Sequence, residues 1–216
     1  MDCENLTLHT IVPFHLKDRD LSSSDIWYRE LHFERGHHYH ISAPSGSGKT
    51  TLARILYGLS TAYAGSYFIG DRHAKSLDAG EWSRLRQKAF AIVFQDLRLF
   101  DELSARQNIE IKNELQKSSS DAEIDEMLQK LGAAHTAARE SRLLSQGEKQ
   151  RVAIVRALCQ PFTWLILDEP FSHLDAEAAR AAARLIAEKA AARKAGVISL
   201  QLEDDDFFPY SKKWQL

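Results

Sequence analysis

The chain has 216 residues, of which 44% are hydrophobic and 27% charged, an ordinary composition for a soluble globular protein. Its formal net charge of −2 gives no electrostatic footprint for nucleic acid, and its two cysteines, Cys3 and Cys159, are too far apart in sequence to indicate a zinc site or a disulfide framework. No run approaches the ~18 apolar residues that a membrane span requires, and the first residues lack a signal-peptide pattern, so we expect a cytoplasmic protein.

Residues 6–33 alternate short apolar stretches with polar turns, a pattern that predicts antiparallel strands. The apolar positions are Leu6, Leu8, Ile11 and Val12, followed by Ile26, Trp27, Tyr28, Leu31 and Phe33. The next segment contains three histidines, His37, His38 and His40, which could indicate a metal site. In a strand, His38 and His40 share one face while His37 lies on the other, so the sequence favours polar strand residues over a full ligand set.

A glycine-rich loop over residues 43–51 follows a short strand at residues 39–42. Two of its glycines permit a tight turn whose backbone N–H groups point into one concavity, which is a cradle for phosphate. Lys49 is expected to reach the β- and γ-phosphates of a nucleotide, and the Thr50 hydroxyl to hold Mg²⁺. Ala43 replaces the first glycine of this motif, so we expect an ordinary φ there. The cradle residues are Ser45, Gly46, Ser47, Gly48, Lys49, Thr50 and Thr51.

An amphipathic helix behind the loop argues against the alternative, a Gly/Ser-rich turn that happens to contain a lysine. Its apolar residues recur at helical spacing and are Leu52, Ile55, Leu56 and Leu59. Further along, residues 65–71 indicate a strand closed by a turn, and Trp82 with Leu85 indicates a helix. Residues 89–94 then form an apolar strand that ends at Gln95.

The stretch from about residue 96 to 142 carries helical patterns without strands, which marks it as a candidate inserted subdomain. Within it, Ser120 and Glu123 have the spacing of a capping box that opens a helix. A second capping box, Ser145 with Glu148, opens another helix that runs to about residue 160.

The apolar run Trp-Leu-Ile-Leu at residues 164–167 is typical of a parallel strand buried on both faces. It delivers Asp168 and Glu169 to the carboxyl end of the sheet, where ligands bind in open α/β sheets. Beside a phosphate cradle, this pair suggests a carboxylate that holds Mg²⁺ followed by a candidate base. The alternative is a solvated acidic turn.

Taken in order, these features resemble the ATP-binding cassette family, specifically the nucleotide-binding subunits of ABC transporters. The resemblance covers nearly the whole chain and rests on five stretches: the Walker A loop, a Q-loop at residues 93–96, a signature Leu-Ser-Gln-Gly-Glu at residues 144–148, a Walker B strand and a D-loop at residues 172–175. It implies an α/β P-loop NTPase with an ABC-type core sheet, an antiparallel β subdomain and an inserted α-helical subdomain. The helical part would occupy roughly residues 96–160 of a single domain over residues 1–216.

The resemblance also implies catalytic roles by position. Lys49 would bind the phosphates, Glu169 would polarise the attacking water, and Gln95 would sense both the water and Mg²⁺. The metal ligands would be Thr50, Gln95 and Asp168. The cofactors implied are ATP and Mg²⁺.

A second group of residues would act across a dimer interface or on the base. Ser145 and Gly147 would contact the γ-phosphate bound by a second subunit, and Asp175 of the D-loop belongs to the same nucleotide-binding set. Phe14 is the preferred residue for stacking on adenine. The alternatives are Trp27 and Tyr28.

The implied partners are a second ABC ATPase subunit, identical or homologous, and an integral membrane permease, with no nucleic acid. The protein would then lie on the inner face of the cell membrane as a peripheral, cytoplasmic subunit. Its Q-loop neighbourhood looks most similar to the branch of lipoprotein-release, macrolide-efflux and cell-division ATPases.

Three departures from the family pattern affect the expected activity, the first being the alanine already noted in the phosphate loop. Gln146 and Glu148 replace Gly and Gln in the signature, and no histidine follows His173, so Leu202 or Gln201 occupies the place of the switch histidine. We therefore expect slow hydrolysis, with an ATP-gated signalling or interaction subunit as the alternative function. A DNA-repair or ribosome-associated ATPase would need inserts that this length excludes, and the signature disfavours a small-molecule kinase.

Overall fold

The computed structural model describes residues 5–216, which form two β-sheets and six α-helices. The strands are β1 Asn5–Pro13, β2 Glu30–Glu34, β3 His38–Ser42, β4 Tyr63–Ile69, β5 Arg72–His73, β6 Phe90–Val93, β7 Trp164–Asp168, β8 Gly196–Gln201 and β9 Lys212–Gln215. The helices are α1 Lys49–Leu56, α2 Ala79–Lys88, α3 Ala105–Asn113, α4 Asp121–Lys130, α5 Gln146–Leu158 and α6 Ala176–Ala192.

The first sheet is antiparallel with the strand order β2-β1-β4-β5, as the alternating pattern near the start of the chain predicts. Leu6 of β1 faces Phe33 on one neighbour and Ile69 on the other, so apolar residues line one face. One part of the prediction is wrong. Ile26 and Trp27 lie in the connection before β2, where burial in the core rather than strand pairing explains their apolar character.

The second sheet is parallel with the order β6-β7-β8-β3-β9. Every residue of β7 is buried, which confirms the prediction of a strand covered on both faces. The carboxyl ends of β3, β6, β7 and β8 meet at one edge of this sheet. The loop after β3 leads to Lys49 at the start of α1, and the loops after β6 and β7 contain Gln95 and Glu169. The candidate site is therefore assembled by the topology of the parallel sheet.

The two predicted capping boxes are confirmed at the starts of α4 and α5. The Glu123 carboxylate accepts from the Ser120 N–H at 2.7 Å, and Glu148 accepts from the Ser145 N–H at the same distance. Leu59 is a correction, because α1 ends at Leu56 and leaves Leu59 45% exposed. The chain turns out of the helix at Gly58, whose φ of +70° ends the helical repeat before the fourth position.

The parallel sheet separates two apolar clusters. Alternate residues of its strands, such as Ile166 and Ile198, face the antiparallel sheet and α1. Their neighbours, such as Leu165 and Val197, face a cluster that also contains residues of α3, α4, α5 and α6. The result is a three-layer α/β arrangement in which helix α5 lies against the sheet. Among residues 5–216, no helix combines the length and the apolar character that crossing a bilayer demands.

Candidate functional site

The loop between β3 and α1 has the backbone that a phosphate cradle needs. Gly46 and Gly48 adopt φ values of +78° and +109°, whereas Ala43 does not have a positive φ, as predicted. A Cβ atom on Gly48 would lie 3.0 Å from both Leu16 and Trp27, so space as well as φ restricts this position to glycine. Gly48 precedes α1 and provides no side-chain cap, which leaves the first N–H groups of the helix facing the loop.

Lys49 lies folded over this loop and is only 4% exposed. Its ammonium group donates to the carbonyl oxygens of Ala43 at 2.7 Å and Pro44 at 3.1 Å. The same Nζ lies 3.4 Å from Oε1 of Glu169. A buried lysine is thus held between loop carbonyls and one carboxylate, which fixes a positive charge at the mouth of the cradle.

Gln95 links the start of α1 to the end of β7. Its Oε1 accepts from the Thr50 hydroxyl at 3.0 Å, and its Nε2 donates to Oε2 of Glu169 at 3.3 Å. Lys49, Thr50, Gln95 and Glu169, predicted separately from distant stretches, therefore form one connected group. They line a cavity of about 220 Å³ whose walls are His15, Ser45, Gly46, Gly48, Lys49, Thr50, Thr51, Gln95 and Glu169.

Asp168 lies beside this group with both carboxylate oxygens buried and without hydrogen-bond partners in the described part of the chain. Burial raises the pKa of Asp168 to about 6, with the nearby Thr50 hydroxyl opposing the shift and the charge of Glu169 adding to it. Thr50, Gln95 and Asp168 line one further cavity. Their hydroxyl, amide and carboxylate oxygens are the hard donors that suit Mg²⁺, and an unpartnered buried carboxylate gains most from a cation.

Within residues 5–216, no three His, Cys, Asp or Glu side chains are placed to share a metal ion. The prediction of three strand histidines is wrong for His37, which lies outside β3. His40 lies within β3 and is fully buried, with Nε2 3.1 Å from Oδ1 of Asp204. A magnesium site at Asp168 would use a single carboxylate of the chain and would draw its other ligands from Thr50, Gln95 and phosphate oxygens.

Glu169 has a left-handed backbone with a φ of +50°, which is uncommon for a residue with a side chain. Its N–H donates to the Leu200 carbonyl at 2.9 Å, and its own carbonyl accepts from Gln150 Nε2 at 3.0 Å and from the Ser172 hydroxyl at 3.1 Å. These bonds turn the Glu169 side chain towards Lys49 and Gln95 while Asp168 remains in the strand.

The signature residues lie outside the cavity around Lys49. Ser145 caps α5, and the backbone at Gly147 passes so close to the D-loop that a Cβ there would lie 2.8 Å from the His173 carbonyl. Asp175 caps α6 by accepting from the Ala178 N–H at 2.8 Å. The structure therefore keeps these residues apart from the phosphate loop of the same chain, and their role across a dimer stays a prediction.

The residues considered for adenine occupy different environments. Phe14 is 52% exposed with the Lys17 ammonium 5.0 Å from its ring centroid, and Tyr28 is 48% exposed. Trp27 is buried against Gly48 and is therefore a packing residue of the loop. Phe14 remains available for stacking, although it does not line the cavity around Lys49.

Sequence reasoning missed two side chains that border the phosphate loop. His15 lines the cavity, and Arg19 donates to the Gly46 carbonyl at 3.3 Å. Both follow β1, a strand distant in sequence from the loop. The polar turn at residues 17–20 marks a bend after this strand, but only the tertiary structure brings that bend to residue 46.

Gln201 and Leu202 are the two candidates for the position of the switch histidine, and they differ in exposure. Gln201, the last residue of β8, is 9% exposed and donates to the Ser199 hydroxyl at 3.2 Å, whereas Leu202 is 46% exposed. Both line a cavity of about 340 Å³ that Glu169 also borders. Gln201 is the only polar side chain of the two, so it is the one that can donate to a bound anion.

Similarity to known proteins covers most of the chain. A family described as ABC transporter matches residues 29–172. The macrolide export ATP-binding/permease protein MacB of Rhodopseudomonas palustris is 37% identical over 172 residues, which cover 78% of this chain and 26% of that protein. This chain therefore spans about a quarter of the length of the MacB relative. The lipoprotein-releasing system ATP-binding protein LolD of Saccharophagus degradans is 32% identical over 74% of this chain and 72% of its own length.

Solved structures share the fold. A dimeric bacterial ABC transporter cassette, MJ0796, superposes with a TM-score of 0.76 at 22% identity and covers 92% of this chain and 88% of its own. A bacterial Atm1-family ABC exporter with ATP bound superposes with a TM-score of 0.74 at 26% identity, over 94% of this chain and 35% of the exporter. The three-layer arrangement is thus the fold of an ABC cassette.

Proposed function

The chain belongs to the ABC transporter family, and from this premise we propose that it binds MgATP, dimerises around it and hydrolyses it to drive a membrane permease. The observation that carries the proposal is the connected group of Lys49, Thr50, Gln95 and Glu169 around one cavity. It combines a cation, a metal-binding hydroxyl and a candidate base within hydrogen-bond reach of one another.

The contacts suggest how these residues divide the work. Lys49 would exchange its Glu169 partner for the terminal phosphates, which frees the Glu169 carboxylate to polarise the attacking water. Gln95 bonds to both Thr50 and Glu169, so it can relate the position of the metal to that of the base. Bound Mg²⁺ would supply neutralisation of the charge that develops on the phosphate oxygens. Asp168 and Thr50 are the residues that would hold it.

Gln201 and Leu202 favour a second candidate function, an ATP-gated signalling subunit with slow hydrolysis. Leu202 cannot donate to a γ-phosphate, and Gln201 already bonds to Ser199. A missing donor to the developing charge typically costs about 10²–10³ in rate. In this alternative, the ATP-bound dimer itself would be the signal and hydrolysis would reset it.

A groove beside α3 supports the proposed permease partner and, with it, a location on the inner face of the membrane. Phe100 is 54% exposed and Ile111 44% exposed, and both border a cavity of about 190 Å³. The groove also contains three cationic side chains, Arg98, Lys112 and Arg156. An apolar segment of the permease that carries a carboxylate fits this combination. The test uses a permease encoded beside this gene, which should co-purify with the wild-type chain. Ile111→Glu should abolish this co-purification. Leu115→Glu should not, because Leu115 is exposed but does not line this groove.

The decisive experiment measures ATP binding and steady-state hydrolysis for the wild type, Glu169→Gln and Glu188→Gln. Glu188 is a matched control because its carboxylate is exposed and pairs with Lys130, away from the site. We expect Glu169→Gln to keep binding, lose turnover by orders of magnitude and accumulate as a dimer on a sizing column.

The outcomes separate the two functions. Turnover at the rate of an efficient ATPase in the wild type, removed by Glu169→Gln, supports the transport ATPase. Binding and dimerisation with turnover about 10²–10³-fold slower, still removed by Glu169→Gln, would favour the signalling alternative. A failure to bind MgATP would exclude both.

A further inference from the structure

Three residues with left-handed backbones flank the side chains of the proposed site. Leu97 and Arg98, which follow Gln95 closely, have φ values of +55° and +49°, and Glu169 has +50°. The left-handed region brings Cβ close to the backbone, so residues other than glycine adopt it only where the surroundings hold them there. The position of Gln95 and of the Glu169 side chain therefore depends on what restrains these backbones.

Helix α5 supplies a restraint to both loops. Arg156 donates through Nη1 to the Arg98 carbonyl at 2.6 Å and through Nη2 to the Leu97 carbonyl at 2.5 Å. One turn into the helix, Gln150 donates to the Glu169 carbonyl at 3.0 Å and is fully buried. The acceptors are thus the three left-handed residues themselves, and all three bonds come from a single element.

The surroundings of Arg156 make these bonds hard to replace. Burial lowers the pKa of Arg156 to about 10, so the group is still charged at neutral pH. Arg98, one of its acceptor residues, stacks its own guanidinium over the Phe94 ring at 4.0 Å. A planar guanidinium can bridge two adjacent carbonyls, whereas a lysine ammonium is a single point charge on a flexible stem.

Helix α5 also begins at the signature. The rise from the cap at Ser145 to Arg156 is about 16 Å, and the apolar residues of the helix are packed in the core. A displacement at the signature end would therefore be carried to both loops by a rigid element.

We propose that Arg156, together with Gln150, is a positioning residue that holds the left-handed loops of Gln95 and Glu169 against helix α5. The proposal rests on the proposed function for its effect on turnover, and on the backbone contacts for its effect on loop order. A misplacement of about 1 Å in a catalytic group can cost 10²-fold in rate. We expect Arg156→Ala to lower kcat by about 10- to 100-fold without loss of MgATP binding, since Lys49 and the phosphate loop are untouched.

The test combines hydrogen exchange with kinetics. In Arg156→Ala and Arg156→Lys, amides of residues 95–99 should exchange faster than in the wild type, with no nucleotide present. Arg193→Ala is the matched control, because Arg193 also donates from a partly buried guanidinium to a carbonyl, that of Leu158, but away from the loops. Its amide exchange at residues 95–99 and its kcat should equal those of the wild type.

A rescue experiment separates positioning from general damage. Arg98 is exposed, and a glycine there would adopt the left-handed conformation without steric cost. Added to Arg156→Ala, Arg98→Gly should restore kcat to within about threefold of Arg98→Gly alone. Arg98→Ala removes the same side chain but keeps the backbone cost, so it should not rescue. Gln150→Ala should lower kcat while exchange at residues 95–99 stays unchanged.

The results that would overturn the proposal are distinct from those that would overturn the function. Unchanged exchange at residues 95–99 in Arg156→Ala, or equal rescue by Arg98→Gly and Arg98→Ala, would show that Arg156 does not hold the loop. A wild type with no turnover above Glu169→Gln would instead remove the ATPase function. Hydrogen exchange at residues 95–99 would then decide alone whether Arg156 holds the loop.

Discussion

Helices α1 and α5 begin at the two loops proposed to meet phosphate, and they present their first N–H groups in opposite ways. Helix α1 follows Gly48, which offers no side-chain cap, so its N-terminal N–H groups face the phosphate loop. Helix α5 follows Ser145, whose hydroxyl accepts from the Glu148 N–H while the Glu148 carboxylate accepts from the Ser145 N–H. The N-terminus of α1 is therefore open, meaning that no side chain caps it, and the N-terminus of α5 is closed by its own capping box.

The presence or absence of a side-chain cap determines what the N-terminus of each helix can bind. Hydrogen bonds, led by the Ser145 N–H, lower the pKa of Glu148 to about 2. Its carboxylate is paired with Arg139 at 3.1 Å and hydrogen-bonded to His135 at 2.9 Å. An anion that reached α5 would meet a site already occupied by a carboxylate. The Ser145 hydroxyl uses only an acceptor in the cap, so its O–H can still donate to an incoming phosphate. We therefore expect α1 to dominate nucleotide affinity and α5 to contribute specificity across a dimer.

The largest expected effect separates the two helix ends through their lysines. Lys49→Ala removes the buried charge at the start of α1, whereas Lys149→Ala removes a charge in the first turn of α5. At a thousandfold excess of MgATP over Kd, the wild type should gain about 4.1 kcal/mol of stability. Thermal unfolding with and without MgATP should show this gain in Lys149→Ala and none in Lys49→Ala. A full shift in Lys49→Ala would contradict the dominance of α1.

The next effect comes from Asp168, the unpartnered carboxylate beside α1. Because its pKa rises from 3.8 to about 6 on folding, the folded state binds the proton more tightly, and stability falls as pH rises between these values. The loss reaches about 3 kcal/mol above pH 6. Asp168→Asn should recover it without Mg²⁺ and lose the part of ATP binding that depends on Mg²⁺.

Thermal unfolding of the wild type and Asp168→Asn from pH 4 to pH 8 would measure this difference. Asp71→Asn is the control, since Asp71 is an exposed turn residue. The gap between wild type and Asp168→Asn should widen up to pH 6 and then level off. A constant gap would mean that the buried carboxylate is not the source.

A smaller effect compares the glycines at the two helix ends. Gly48→Ala should cost about 2 kcal/mol, because a φ of +109° is unfavourable for alanine and its Cβ would crowd Leu16 and Trp27. Gly147→Ala should cost a similar amount through its approach to the His173 carbonyl. Only the first should also weaken ATP binding by the monomer, measured by titration calorimetry.

Gly36→Ala isolates the cost of backbone conformation in this comparison. Its φ of +83° is equally unfavourable, but nothing lies within 4 Å of the added Cβ. It should cost about 1 kcal/mol and leave ATP binding intact. Equal losses of binding in Gly48→Ala and Gly147→Ala would remove the distinction between the helix ends.

Local chemistry explains which features the sequence could predict. The capping boxes at Ser120 and Ser145 depend on residues three apart, and the buried strand at residues 164–167 depends on a continuous apolar run, so both are visible without tertiary structure. Glycine at positions 46 and 48 permits the positive φ values that the phosphate loop adopts there. Each of these is a property of a few neighbouring residues.

The features that escaped depend on contacts between distant parts of the chain. Trp27 resembled a strand residue, yet its ring lies against Gly48 because the connection before β2 folds over the loop. The left-handed backbone of Glu169 is held by Gln150, 19 positions earlier in the chain. No periodicity in the sequence predicts this contact. The role of His15 in the cavity wall likewise depends on where β1 ends in space. Apart from Leu59, the patterns within one element were predicted correctly, and the features that were missed are contacts between two elements.

The smallest effect tests the N-terminal cap of α5 and uses the capping box at the start of α4 as its control. Ser145→Ala and Ser120→Ala each remove a cap that accepts from an N–H three residues on, so each should destabilise the protein by about 1 kcal/mol. The two variants should have nearly equal unfolding midpoints in urea and equal MgATP affinity as monomers, since neither residue borders the cavity around Lys49.

They should differ only in dimerisation, because Ser145 alone is proposed to donate its O–H to a phosphate held by the other subunit. In a Glu169→Gln background with saturating MgATP, sedimentation velocity should give a dimer dissociation constant at least about tenfold weaker for Ser145→Ala than for Ser120→Ala. The reason is that one hydrogen bond to a charged group is lost in each of two sites, which together are worth more than about 1.4 kcal/mol. Equal dissociation constants would mean that the cap at α5 is structural, as it is at α4, and that the phosphate is bound entirely by the open end of α1.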